Sequence, residues 1–507
     1  MTDPVPPPPP QRVTHPTAAA EPSPLLPTAP GERQLLLDVL RGVALLGIFM
    51  VNMPTFAMPF FEAFGGPGLA TDSTRNQVGW WVVTLLFQFK FISLFSLLFG
   101  AGFALQIERA QARGRPFVWT YLRRLAMLFV IGIIHALLIW YGDILVAYSI
   151  LGLLLIPFAR AKASTLLITG VVLLLLSSAL GAGLGALEAV MARQADASTQ
   201  SASEEEVAAP EHSLEVREVD GALEPDALEL GSVESGSVES GSLEPGSLEP
   251  AVIEPEAAET EASSEGPLRG MDALIELQFN PTDPRWAEAE TAAFRDGPFA
   301  DALAFRITIW AFAIIVGLFS WLWHPAALFL IGAGLMRLGF FRPEASSLRA
   351  RFAWLIIPGL ALELLVPLSA TRANWEDDML STVLAAGHAP SAVLLMLGYV
   401  GLLSILVDRA ASNAVLGGTA RFVAALGRMP LTAYLSESVL AALLMYWYGL
   451  GWFGSVDRIQ QIGLVLLIWL GLALAANLWF RAFSYGPMEW LWRLGTYGRR
   501  GTAAPPR

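Results

Sequence analysis

Apolar stretches long enough to cross a bilayer recur from residue 35 to residue 480, interrupted by few polar positions. A helix needs about 20 apolar residues to span the hydrocarbon core. On that scale the pattern predicts spans at 35–58, 79–107, 124–141, 143–159, 164–189, 303–337, 352–370, 389–408, 430–450 and 462–480. The expected fold is all-α, a polytopic membrane helix bundle of about ten transmembrane helices. The stretch 303–337 is long enough for two helices broken at Trp323-His324-Pro325. Counted as one crossing, it leaves every basic short segment on one side: 107–124, Arg160 and Lys162, 337–351, 409–428 and the tail beyond Arg493. Basic loops remain in the cytoplasm, so both termini are expected there, with the chain integral to the cytoplasmic (inner) membrane. Trp80, Trp81, Trp140, Tyr141, Trp447, Trp452 and Trp479 fall near span ends, as aromatic belts do.

The polar segments divide the rest. Residues 1–32 form a proline-rich tail, with a run from Pro6 to Pro10 and no basic start or apolar core of a signal peptide. Residues 33–190 make a five-helix membrane half. The segment 191–270 carries a pentad four times, GSVES at Gly231 and Gly236 and GSLEP at Gly241 and Gly246. A five-residue period fits neither helix nor strand and offers nothing to bury, so this acidic insert is expected to be disordered. Residues 271–302, with Trp286, Phe294 and Phe299, read as an extracytoplasmic loop holding short amphipathic helices. Residues 303–492 form the second membrane half, and 493–507 a cytoplasmic tail. No inverted repeat is visible in the sequence.

Composition changes the picture in two ways. The formal charge of −13 is misleading, because 191–270 alone holds 20 acidic against 3 basic residues and the remainder carries +4. No acidic surface awaiting a basic partner follows, and no nucleic acid is expected as a partner. The chain also has no cysteine and five histidines, which excludes disulfides, thiolate nucleophiles and cysteine-bound metal. No metal is expected.

Chemistry is therefore sought among polar residues at membrane depth, which are costly unless paired or facing a cavity. Asp38 and Arg41 enter the first span three residues apart, on one helix face, and Asn52 returns to that face three turns on. An anchor at the headgroups explains the first two but not Asn52. His135 sits about two turns below the end of the third span, and Asp143 follows the Gly142 turn. Imidazole is suited to proton transfer near neutral pH, and a carboxylate can fix its tautomer. A packing histidine and a helix-capping aspartate account for the same residues structurally. Lys90, Glu363, Glu437 and Asn477 are further polar residues within spans, and together they point to a polar interior.

Three blocks carry a resemblance: Leu37–Asn52 (LDVLRGVALLGIFMVN), Lys90–Gly102 with His135–Gly152 (KFISLFSLLFGAG and HALLIWYGDILVAYSILG), and Gly427–Gly454 with Tyr485–Trp492 (ending YGPMEWLW). Together they resemble the DUF418 family over nearly all the chain outside the tail and the insert. Glu437 stands where that family pattern leads one to expect glutamine. The first block is also similar to the transmembrane acyltransferase superfamily, which includes the glucosaminide acetyltransferases and, more remotely, the acyltransferase-3 proteins. The glucosaminide acetyltransferases carry a histidine in the loop after that helix, whereas 59–78 holds none here.

The superfamily resemblance implies acyl transfer from cytosolic acyl-CoA to a small-molecule or glycan acceptor at the outer face. Arg41, Arg123 and Arg124 would hold the phosphates of the acyl-CoA donor, since guanidinium suits phosphate. His135, oriented by Asp143, would be the catalytic base. Asp38, Asn52, Lys90 and Glu437 would line the same polar cavity, with Asn52 or Lys90 at the developing oxyanion. The alternative is a transporter or exporter using Lys90, Asp143 and Glu437 as a relay. A regulatory membrane protein is the third reading.

Overall fold

The computed structural model describes residues 34–64, 73–112, 114, 117–208, 268–277, 283–373 and 379–498. The proline-rich tail, the pentads and the last nine residues lie outside them. The chain separates into one unit of Met1–Ala192 with Pro267–Arg507 and a second of Arg193–Gly266. Of the second, only helix up to Ala208 is described.

The described residues are helical, without strands. In chain order they give α1 (Leu35–Ala57), α2 (Phe60–Phe64), α3 (Thr74–Leu86), α4 (Lys90–Ala112), α5 (Val118–Leu138), α6 (Leu145–Leu153) and α7 (Ala163–Ala208). After the insert come α8 (Gly270–Glu276), α9 (Pro284–Thr291), α10 (Phe299–Phe319), α11 (Trp323–Arg337), α12 (Ser346–Arg351), α13 (Ile356–Glu363) and α14 (Leu365–Arg372). The chain closes with α15 (Met379–Gly387), α16 (Ala389–Arg409), α17 (Ala414–Gly427), α18 (Pro430–Met445), α19 (Arg458–Ala482) and α20 (Pro487–Tyr497).

Eight of these helical stretches are long and apolar enough to cross a membrane. The two other expected crossings are short. The α6 crossing finishes in a 3-10 turn, Pro157–Arg160, and Arg337 Nη2 donates to the Ala159 carbonyl at 2.7 Å, so it ends beside the basic end of α11. The 16-residue α18 starts at the same end of the bundle and reaches the opposite one, where Met445 and Tyr446 pack with Trp140 and Phe294. The helix α17 is also apolar, but both its ends lie beside basic residues, Arg409 and Arg428, and it lies against the start of α1.

Two crossings are broken inside the bundle. The α3–α4 break falls at Phe87–Phe89, and the α10–α11 break at Ser320–Leu322, three residues before the expected site. Pro325 explains the offset: it stands in the first turn of α11, where its missing N–H is harmless.

These two units are a direct repeat. Gly100-Ala101-Gly102 in α4 matches Gly332-Ala333-Gly334 in α11. The contacts are reciprocal: a Cβ at Gly100 would collide with the Phe329 carbonyl, and one at Gly332 with the Leu97 carbonyl. The next elements repeat too. Gly132 of α5 lies against Val146 of α6, as Gly359 of α13 lies against Leu395 of α16. Gly152 lies against Leu125, as Gly401 lies against Phe352, and each of these glycines leads to an arginine, Arg160 or Arg409. Helices α4 and α11 therefore run the same way, towards Arg109 and Arg337. The repeat is parallel rather than inverted.

At the end away from the arginines, α8, α9 and the π-helical turn Ala292–Asp296 cover the bundle. This cap corrects the aromatic-belt reading for Trp140 and Tyr141. Both are buried, Trp140 stacked on Phe56 at 4.3 Å and the Tyr141 hydroxyl donating to the Thr55 carbonyl at 2.7 Å. The helix α7 continues past the membrane half into the insert, to Ala208. From Met191 to Ala208 there is neither glycine nor proline, and Pro210 then stops it.

Candidate functional site

The main cavity, about 440 Å³, lies at the arginine-bearing end. Its charged lining is five guanidinium groups, Arg41, Arg109, Arg124, Arg428 and Arg493, against two carboxylates, Asp38 and Glu489. The inner wall is apolar, built from Phe95, Leu98, Phe99, Leu125 and Leu128.

Local sequence explains how these groups are held. The i,i+3 spacing pairs Arg41 Nη1 with Asp38 Oδ1 at 3.0 Å. Gly42 completes that motif for a packing reason: a side chain there would strike the Val423 carbonyl of α17. Three other arginines stand over aromatic rings. Arg124 lies 4.2 Å from the Trp492 ring centre, Arg428 3.7 Å from Phe480, and Arg493 3.7 Å from Tyr485. Arg124 Nη1 also donates to the Tyr497 hydroxyl at 3.0 Å. Cation–π contact of this kind helps hold the guanidinium groups in place. Glu489 is engaged elsewhere. Its Oε1 accepts from the Leu431 and Thr432 N–H groups at 2.7 and 3.1 Å, and Oε2 from the Thr432 hydroxyl, which caps the start of α18.

A second polar group lies deeper. His135 Nδ1 and Asp143 Oδ1 are 2.9 Å apart, both buried, and Asp143 Oδ2 accepts from the Val146 N–H at 2.8 Å. The Gly142 turn thus folds Asp143 back onto α5, and the aspartate also caps α6. Asp143 therefore contacts the imidazole and the start of α6 at once. The other ring nitrogen, His135 Nε2, is buried without a hydrogen-bond partner. The His135 ring faces Tyr434 at 5.1 Å, and Tyr434 lies within electrostatic reach of Asp143 and Glu437. Glu437, one turn along α18, is buried with Oε1 unpartnered. His135 is seven residues past Leu128 on α5, so about 10 Å separates it from the cavity wall.

The single cavity expected from the sequence is therefore two sites and some outliers. Asp38, Arg41 and Arg124 line the arginine cavity. Arg123 does not; it points outward, 5.5 Å over the exposed Trp119. His135, Asp143 and Glu437 share the deeper group. Asn52 lines neither and is half-buried, its carbonyl accepting from the Thr55 hydroxyl at 2.6 Å. Asn477 Nδ2 donates to the Phe422 carbonyl at 3.0 Å, holding α19 to α17.

Lys90 lies apart from both, with an unforeseen set of partners. Its ammonium pairs with Glu363 and donates to the Thr84 carbonyl at 2.8 Å. His324 and His388, which the sequence left at helix ends, are buried in this third cluster. Tyr434 was likewise legible only as part of an apolar span.

The family model described as "Protein of unknown function (DUF418)" matches residues 335–499. That stretch supplies Arg428, Glu489 and Arg493 to the cavity, together with the rings under Arg124, Arg428 and Arg493. The chain is 29% identical over 485 residues to the uncharacterized protein YxaH of Bacillus subtilis, covering 94% of this chain and 97% of that protein. It is 27% identical over 477 residues to the uncharacterized protein YeiB of Escherichia coli, covering 93% and 98%. An uncharacterized 39.9 kDa protein of Bacillus acidopullulyticus is 38% identical over 155 residues, 30% of this chain and 41% of that protein. No solved structure matches the chain. By the DUF418 match and the two near-full-length relatives, the chain belongs to the DUF418 family.

Proposed function

We propose that this protein is a membrane acyltransferase that takes an acyl group from cytosolic acyl-CoA and passes it to a hydroxyl or amine acceptor arriving from the opposite face. The observation that carries this reading is the cavity with an arginine rim and an apolar inner wall. Its two ends suit the two ends of an acyl-CoA, phosphates outward and acyl chain inward. The bias of arginines to that end orients it, with both termini, to the cytoplasm. His135 lies inward of the cavity and nearer the opposite end.

The chemistry would follow from the tautomer. With Nδ1–H donated to Asp143, Nε2 is left as the base. It takes the acceptor's proton as the acceptor oxygen or nitrogen attacks the thioester carbonyl. The new C–O or C–N bond forms, the C–S bond breaks, and the imidazolium returns its proton to the departing CoA thiolate. The pantetheine arm must pass the Phe95–Phe99–Leu128 wall to reach this point.

Donor binding tests the reading. Purified full-length protein should bind a fluorescent acyl-CoA saturably, with CoA as competitor. Charge-assisted bonds contribute about 1.5–3 kcal/mol each, so the Arg124→Ala/Arg428→Ala double variant should bind roughly 100-fold more weakly. Absence of saturable binding, or equal binding by the variant, overturns the reading.

A further inference from the structure

The third cluster is the repeat counterpart of the His135–Asp143 site. In the first repeat the imidazole is on α5, three residues past Gly132, and the carboxylate precedes α6. In the second, the carboxylate Glu363 is on α13, four residues past the equivalent Gly359, and His388 stands at the N-terminal end of α16. Each equivalent helix pair thus carries one carboxylate and one imidazole, with the acid and base on exchanged helices. His388 Nδ1 is 3.7 Å from Glu363 Oε2.

Its surroundings are unusual for a packing motif. The α3–α4 and α10–α11 breaks meet here, beside the single turn residue Leu364 that follows Glu363 between α13 and α14. Phe89, in the first, has φ 62°, a left-handed conformation that non-glycine residues rarely adopt. Its ring lies edge-on to both imidazoles, 5.6 Å from His324 and 5.1 Å from His388. His324 Nε2 is 2.6 Å from the Ser93 hydroxyl, while its Nδ1 and both His388 nitrogens are buried without hydrogen-bond partners. The Ser391 hydroxyl donates to Glu363 Oε1 at 2.6 Å. The titratable and charged groups facing the cluster are Lys90 from α4, His324 from α11, Glu363 from α13, and His388 and Tyr399 from α16; α3 contributes the Thr84 and Leu86 carbonyls. One carboxylate thus stands between an ammonium it already pairs with and an imidazole whose nitrogens lack partners.

We infer that the Lys90–Glu363–His388 cluster is a second proton-binding site within the membrane, separate from the donor cavity, whose ligand is a single proton taken up on His388. Uptake places the proton on an imidazole nitrogen and changes the cluster from neutral to +1. Glu363 is then shared between His388 and Lys90, and the Lys90 ammonium keeps the Thr84 carbonyl that closes the end of α3. No other bond forms or breaks. The site does not depend on the acyl-transfer reading.

Five histidines make nitrogen-15 NMR of histidine-labelled, liposome-reconstituted full chain practicable. His388 should show a protonation step, and the Glu363 carboxyl and Lys90 Cε carbons should move with the same midpoint, as coupled groups do. Opposite or like charge at this range shifts a midpoint by about one pH unit or more. Glu363→Gln should therefore lower the His388 midpoint and Lys90→Met raise it by at least that amount. If either variant fails to fold, the shared midpoint in the unmutated chain still decides. A His388 signal that stays neutral from about pH 5 to 8, or a midpoint independent of Glu363 and Lys90, overturns the site.

Discussion

Glu290 shows what a single buried carboxyl does for the cap. Both its oxygens lie 3.1 Å from the Phe60 N–H, and Oε2 also accepts from the Trp286 indole at 3.0 Å, tying α9 to α2. Burial pushes its pKa to about 8, with the Phe60 and Trp286 donors opposing and Glu62 adding to the rise. A carboxyl raised on folding holds its proton better in the folded chain. Its contribution is full below the ordinary carboxylate range and is lost as pH rises towards 8. The melting temperature should therefore fall between about pH 5 and pH 8, and Glu290→Gln should flatten that slope in a thermal melt followed at several pH values. An unchanged slope in the variant would place the dependence elsewhere. The contrast with Asp38–Arg41 and His135–Asp143 shows which residue-scale features were legible. Those pairs are local, set by one helix turn and one glycine turn. Glu290 and Phe60 are 230 residues apart, and Lys90 and Glu363 are 273 apart, so no local pattern announces either contact.

At the scale of elements, the repeat rests on glycine. Because a side chain at Gly100 or Gly332 would meet a carbonyl of the facing helix, the two broken crossings can approach only as they are. Gly332→Val should destabilise by about 1–3 kcal/mol through overpacking, lowering the detergent-solubilised melting temperature by roughly 1–3 °C. Gly183→Val, with nothing near the added Cβ, is the control and should change it little. The spans themselves were legible because lipid demands long apolar helices. The departures have physical causes. The α6 and α18 crossings are shorter than the span rule allows, α17 is apolar but lies against α1, and the direct repeat is visible in sequence only as two Gly-Ala-Gly triplets. In the first candidate site, Arg41 and Arg124 were foreseen from charge. Arg428 and Arg493 were counted only as topology markers, because their place depends on α17 and α20 folding back beside α1 and α5.

For the whole molecule, the acyl-transfer proposal links orientation to chemistry: a cytosolic acyl-CoA donor requires the arginine end to face the cytoplasm. The chain has no cysteine, so single cysteines can report sidedness without background. An impermeant thiol reagent applied to intact cells should label a cysteine at 288, on the cap, and spare one at 347, in α12. The reverse pattern would invert the molecule and remove the donor from the cavity. The central claim, acyl transfer at His135, is tested most directly by the release of free CoA from acyl-CoA by the purified protein with an acceptor mixture at saturating donor. The account predicts release by the unmodified chain and a fall of at least about 100-fold in His135→Ala, as expected for loss of a general base, with donor affinity unchanged. Release by His135→Ala at the full rate would contradict it.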